Sequence, residues 1–303
     1  DIDASGRVYP ANRTSPSSAT CVKIPQFYYK VEKSGNIFRY YVADGPIDGF
    51  SLHPGSESYI ARYEGYLVNK SGGQALCSYS NTPAKTGLTR AEFRNYAKNF
   101  ASNAQLYDFA AWCAVGLLYR VEYADWGSQE KIGPGIVNDT AAHKTGETDA
   151  MVYHTGRAAG TDGKTAVQYR GIENPWGNVW EWVDGINVNN YSPCICTDPT
   201  KYADDTTTNY TVAGVPLGGS GSTKTLGIST NLPWAYLPRE PGGSETTYIP
   251  DSMNSSSEWK VLMVGGSRGN SSAAGLFCFH AGNSSSSSGV SIGTRLQFRE
   301  VKS

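Results

Sequence analysis

The chain is poor in charge, methionine, histidine and cysteine. Charged residues make up 17% of its 303 positions and the formal net charge is -1, so the basic footprint that nucleic acid or an anionic membrane surface requires is missing. No run of about 20 apolar residues is present to span a bilayer. Six cysteines are too few for a disulfide scaffold. Cys21, Cys77, Cys113 and Cys278 lie inside apolar or aromatic runs, where Cys packs as a small hydrophobe, and a reducing compartment is the expectation. The four histidines, His53, His143, His154 and His280, are never within four residues of one another, so a helical metal pair is excluded. No charged region followed by an apolar stretch opens the sequence at Asp1, so an export signal is expected to be absent or already removed.

What is present is glycine and aromatic ring: 34 Gly, 20 Tyr and 7 Trp. Glycine supplies turns and irregular loops, and Tyr and Trp supply large contact area at low side-chain entropy cost, the mixture of a loop-rich binding protein. Residues 1–20 read as an irregular arm and the domain as 21–303. A hairpin is expected over 21–42, with Ser34-Gly35-Asn36 as its turn, and a further strand over 59–68. Thr89-Arg90-Ala91-Glu92 has capping-box spacing and predicts a helix over 90–102. The apolar density of 106–126 predicts a second helix, buried on most sides. Short strands are expected at 166–172, 177–183, 212–217, 259–265, 274–280 and 292–299. Two early helices followed by short strands predict an α+β architecture.

Catalytic constellations fail one by one. Gly163-Lys164-Thr165 ends like a phosphate loop, but Ala158 stands where the first glycine belongs and no hydrophobic strand precedes it. Gly133-Pro134-Gly135 places Pro where an amide should face phosphate. Cys194 and Cys196 lack a second ligand pair, so no structural zinc is expected. Carboxylate pairs such as Glu173 with Glu181 or Asp204 with Asp205 arise by chance among 27 acids. No cofactor and no metal is expected, and the chain is read as a non-enzyme.

Two segments stand out. Residues 174–185 pack Trp176, Trp180 and Trp182 into seven positions, and the alternation at Trp180 and Trp182 predicts core indoles on one strand face, with an exposed ladder for sugar stacking as the alternative. Residues 265–296 alternate scaffold-like pieces, namely Gly265-Gly266-Ser267, Phe277, Phe279 and Ile292-Gly293-Thr294-Arg295-Leu296, with small and oddly assorted polar residues.

GNVWEWV at 177–183, GGS at 265–267 and IGTRL at 292–296 resemble the C-type-lectin-like fold of the formylglycine-generating enzyme and sulfatase-modifying group. The reactive Cys pair of those enzymes would fall near Asn270 and Gly275, and neither is Cys. The sequence is more similar to the variable proteins of diversity-generating retroelements carried by phages and gut viruses, through VKIPQFYYKVE at 22–32, FRNYAK at 93–98, 107–133 and ENPWGNVWEWVDG at 173–185. That resemblance implies two helices packed on short, mostly antiparallel strands with long loops, and a variable region at about 265–298. It also implies that Arg268, Gly269, Asn270, Cys278, His280, Asn283, Gly289, Ser291 and Thr294 are diversified, solvent-facing, ligand-binding positions. Arg268 and His280 are the expected anchors, and Asn270 and Asn283 the adaptable hydrogen-bonding groups. Period two around Phe279 sends Phe279 inward and Cys278 and His280 outward. The implied role is a phage tail receptor-binding protein, sited in the virion, that attaches to a host cell-surface protein or glycan without inserting in a membrane. A bacterial surface-displayed binder and a formylglycine-generating-type enzyme are the alternatives. Oligomeric state is left open, and no coiled-coil heptads are present.

Overall fold

The computed structural model describes residues 1–3, 12–35, 37–244, 246 and 249–299. Both expected helices form. In α1 (Arg90–Phe100) the Thr89 hydroxyl accepts from the Glu92 amide at 3.2 Å, and the Glu92 carboxylate accepts from the Thr89 amide at 2.8 Å. In α2 (Phe109–Tyr123) Asp108 caps the start, accepting from the Ala111 amide at 2.8 Å, and every residue from Phe109 to Arg120 is buried. A single turn, α3 (Ser128–Lys131), follows.

The strands run along the whole chain. β1 (Tyr28–Ser34) and β2 (Ile37–Ala43) form the expected hairpin in part: its first arm starts at Tyr28 rather than Cys21, Cys21–Ile24 is a separate strand of another sheet, and Asn36 of the expected turn lies outside the described residues. The principal sheet uses β3 (Trp180–Asn189), β4 (Ser192–Ile195), β5 (Thr211–Val212), β6 (Gly221–Gly227), β7 (Leu237–Pro241), β8 (Ser252–Ser255), β9 (Trp259–Val264), β10 (Phe279–Asn283) and β11 (Ile292–Gly293). Eight of these follow the order β5-β4-β3-β9-β10-β8-β6-β7 and curl into a half-barrel, while β11 pairs in parallel with β3. A smaller sheet sets Leu296–Phe298 between Ala104–Leu106 and Ser58–Ala61, with Cys21–Ile24 at its edge.

This corrects the expected architecture. Among the described residues the protein is mostly β, 35% strand against 13% helix, with a large curled sheet and three helices, and is not an α+β, lectin-like arrangement of two helices on short strands. The physical reason lies in strands such as β6 and β8. Their Gly, Ser, Thr and Asn residues show little apolar alternation, so nothing local marks them, and pairing with neighbours decides their conformation. Ile2–Asp3 pairs with Ser18–Ala19, and the Asp1 carboxylate accepts from the Ser18 and Thr20 hydroxyls at 2.9 Å. The lead-in is therefore packed at both ends, and residues 4–11 lie outside the described residues.

The centre of the sheet is buried on both faces. Val183, Ile186, Leu262, Val264, Phe279 and Ala281 join the core around α2. Trp180, Trp182, Val261, Met263 and Cys278 join a second core that includes Phe93, Ala97 and Phe100 of α1. Trp180 and Trp182 thus share one face, as their alternation predicts, and Trp176 is buried in the first core. Among the described residues no helix is long and apolar enough to cross a membrane.

Candidate ligand-binding surface

The late segment is anchored by Arg295, which is fully buried. Its Nε donates to both Glu181 carboxylate oxygens at 2.7 and 2.9 Å, and its terminal nitrogens donate to the carbonyls of Ala61, Arg62, Glu173 and Asn174 at 3.0–3.2 Å. A guanidinium whose donors are all used satisfies the condition for burying a charge. The IGTRL and WEW motifs therefore meet in one salt bridge across the core.

Between Gly265 and Ala274 the chain makes a tight turn. Gly266 sits at φ +81°, and a Cβ there would lie 2.7 Å from that of Ala274, so only glycine fits. The Asn270 carboxamide oxygen accepts from both the amide and the hydroxyl of Ser267 at 2.8 Å, which commits its acceptor to holding the turn. The Arg268 amide donates to the Asn178 carbonyl at 3.1 Å and its carbonyl accepts from Asp139 at 2.9 Å. Its side chain is half-buried, with Nε 3.4 Å from the Thr140 carbonyl. Gly269 is exposed.

Cys278 and Thr294 are not solvent-facing, and here the expected site must be corrected. Cys278 is 0% exposed, with its thiol 3.2 Å from the Ser252 hydroxyl. Burial pushes that thiol up to about 12, which keeps it protonated and weakly nucleophilic. Period two does turn Cys278 away from Phe279, but the face it reaches is covered by the second core. Thr294 is 1% exposed, and its hydroxyl donates to the Trp182 carbonyl at 3.0 Å. It is part of the scaffold.

The remaining positions are half-buried, apart from the exposed Gly269. His280 is half-buried beside the Trp180 indole, with ring centroids 5.4 Å apart. Burial holds its imidazole below the usual histidine range, so it presents a neutral ring at physiological pH. Asn283 ends β10, with its amide 3.4 Å from the Met263 sulfur. The stretch 284–288 is a partly exposed serine loop, and Ser285 donates to Asp205. Gly289 and Ser291 are half-buried. Their carbonyls accept from the Gly87 amide at 3.0 Å and the Trp180 amide at 2.8 Å. Backbone bonds thus fix the course of the loop while its side chains stay outside.

The structure gathers these positions into two groups. His280, Asn283 and Ser291 surround Trp180 and Met263. Arg268, Gly269 and Asn270 adjoin a loop that sequence reasoning missed, in which His143 Nδ1 lies 2.6 Å from Glu147 and Nε2 3.3 Å from Asp139. Nothing local in the sequence links this loop to Arg268; tertiary hydrogen bonds to Asp139 and Thr140 do. Asn254, paired with His280 across β8 and β10, was likewise missed. Among the described residues no group of His, Cys, Asp and Glu is able to hold a metal ion, and all six cysteines are free thiols. No family model matches the chain, and no curated protein matches it.

Proposed function

We propose that this protein is a recognition protein that displays a diversified surface on a rigid β scaffold, as variable proteins of diversity-generating retroelements do. In this reading it serves as a phage tail component that attaches to a host cell-surface protein or glycan. One observation carries it: residues 283–291 are nowhere buried, while the neighbouring 292–298 are buried throughout. Most side chains of the first stretch can therefore change without touching the core, Asn283 against the Met263 sulfur and Gly289 beside Ile292 being the exceptions. Affinity at such a surface comes from preorganisation and a few anchors rather than from area. His280 against Trp180 supplies an aromatic anchor, and Arg268 a cationic one. No catalysis is proposed, since the lone Cys278 is buried and protonated.

Gene sequences from many individuals of the source population test the reading. Differences should concentrate at Arg268, Gly269, Asn270, His280, Asn283, Gly289 and Ser291, with a near-copy of the segment differing at adenines. Cys278 and Thr294 should stay constant. If the codons for 268–291 are as constant as those for 177–183, the diversified-surface reading is wrong.

A further inference from the structure

Away from every position discussed so far, the hairpin of β1 and β2 lays Phe38 and Tyr40 beside Trp126. These three rings wall two cavities of about 450 Å³ and 280 Å³, the larger of a size typical of small-molecule sites. Arg120, in the last turn of α2, lines the smaller one. Its guanidinium carbon is 4.1 Å from the Tyr40 ring centroid and 5.2 Å from that of Trp126. Arg120 is only 8% exposed, and its Nε donates to the Gly116 carbonyl at 3.1 Å. Among the described residues its terminal nitrogens have no hydrogen-bond partner and no carboxylate pairs with it. Ring faces offset part of the cost of burying such a charge, and an anion in the cavity would offset more of it.

The larger cavity adds Lys33 and Lys224, both exposed, and neither forms an ion pair among the described residues. It also adds the Thr225 hydroxyl, a buried oxygen with no hydrogen-bond partner. Among the described residues the one acid on the rim, Asp125, is already held by Lys131 at 3.1 Å and by the amides of Trp126 and Gly127. The groove therefore offers ring walls, an unused hydroxyl, a planar cation in one cavity and two point charges in the other.

We propose that this groove binds an acidic oligosaccharide of the uronate class. One carboxylate meets the guanidinium fork of Arg120, whose geometry matches it in bidentate fashion. The apolar face of the sugar ring lies on Tyr40 and Phe38, and a second acidic unit reaches Lys33 and Lys224. Charge in both cavities favours an occupant with successive carboxylates over a single aromatic acid. This site does not depend on whether residues 268–291 vary.

Titration calorimetry of the full chain with tetragalacturonate, its methyl ester and benzoate tests the proposal. Tetragalacturonate should bind. Esterification should weaken binding about ten-fold or more, as should Arg120→Gln, because each removes the charge-assisted pair. If Arg120→Gln does not fold, the double variant Lys33→Ala/Lys224→Ala, altered only at exposed positions, should weaken binding about five-fold. Absence of binding at millimolar tetragalacturonate, equal binding of the ester, or benzoate binding as tightly as the tetramer would each overturn it.

Discussion

Every residue from 292 to 298 is buried, whereas from 283 to 291 none is. The two stretches adjoin in the chain, and the boundary between them falls where β11 joins β3. On the buried side each polar group has a fixed partner: Arg295 with Glu181, Thr294 with the Trp182 carbonyl, and Gln297 with the Asp108 amide at 2.8 Å. On the other side the contacts to the rest of the molecule are largely backbone ones, through the Gly289 and Ser291 carbonyls. Backbone bonds survive a change of side chain, and side-chain networks do not. Sequence tolerance can thus change completely within a few residues while the path of the chain stays fixed.

The sharpest way to break this contrast is Arg295→Gln. It leaves Glu181 charged and buried without its partner, and should cost about 3–5 kcal/mol in urea unfolding. A cost similar to that of a surface change would remove the distinction between the stretches. A second test uses pH. His53 is fully enclosed among Phe27, Tyr29 and Trp234, and burial pushes its imidazole down to about 3. The unfolded chain takes up a proton below about pH 6.5 and the folded one does not, so stability falls with pH in that window, by about 2 kcal/mol at pH 5. His53→Asn, which keeps an acceptor for the Gly55 amide, should flatten that slope; an unchanged slope would refute the assignment. Thr294→Val, which removes the donor to Trp182, should cost about 1–2 kcal/mol. At the small end, Asn283→Ala, Ser286→Ala and Ser288→Ala should each change stability by less than about 0.5 kcal/mol. A larger loss at any of them would mean that the loop side chains support the fold.

Sequence reasoning finds the elements whose signals are local. The capping box at Thr89, the all-round apolar density of α2, the β1 and β2 hairpin and the Trp180 and Trp182 alternation all belong to one short window, and all appear in the structure. It does not find β6 or β8, whose composition is that of a loop and whose strand conformation comes from pairing with neighbouring strands. The assignment of Cys278 fails for a related reason. Period two correctly separates its direction from that of Phe279, but alternation does not reveal that a second core covers the other face. Thr294 fails in the same way, because its acceptor lies on β3. Gly269 is exposed, whereas His280 and Asn283 are half-buried, and the Asp139 to Glu147 loop beside Arg268 carries no signal of its own.

The placement of the last strands also sets an order in time. β10 lies inside the large sheet, between β9 and β8, and Leu296–Phe298 lies inside the small one, paired with Ala104–Leu106 and Ser58–Ala61. Neither sheet is continuous until these residues emerge, and Leu296–Phe298 emerges long after the partners it joins have been synthesised. Pairings so distant in sequence are slow to form, and a chain waiting for them exposes open sheet edges. A change in this segment that prevents insertion therefore yields a protein that never closes, rather than a folded one that binds poorly.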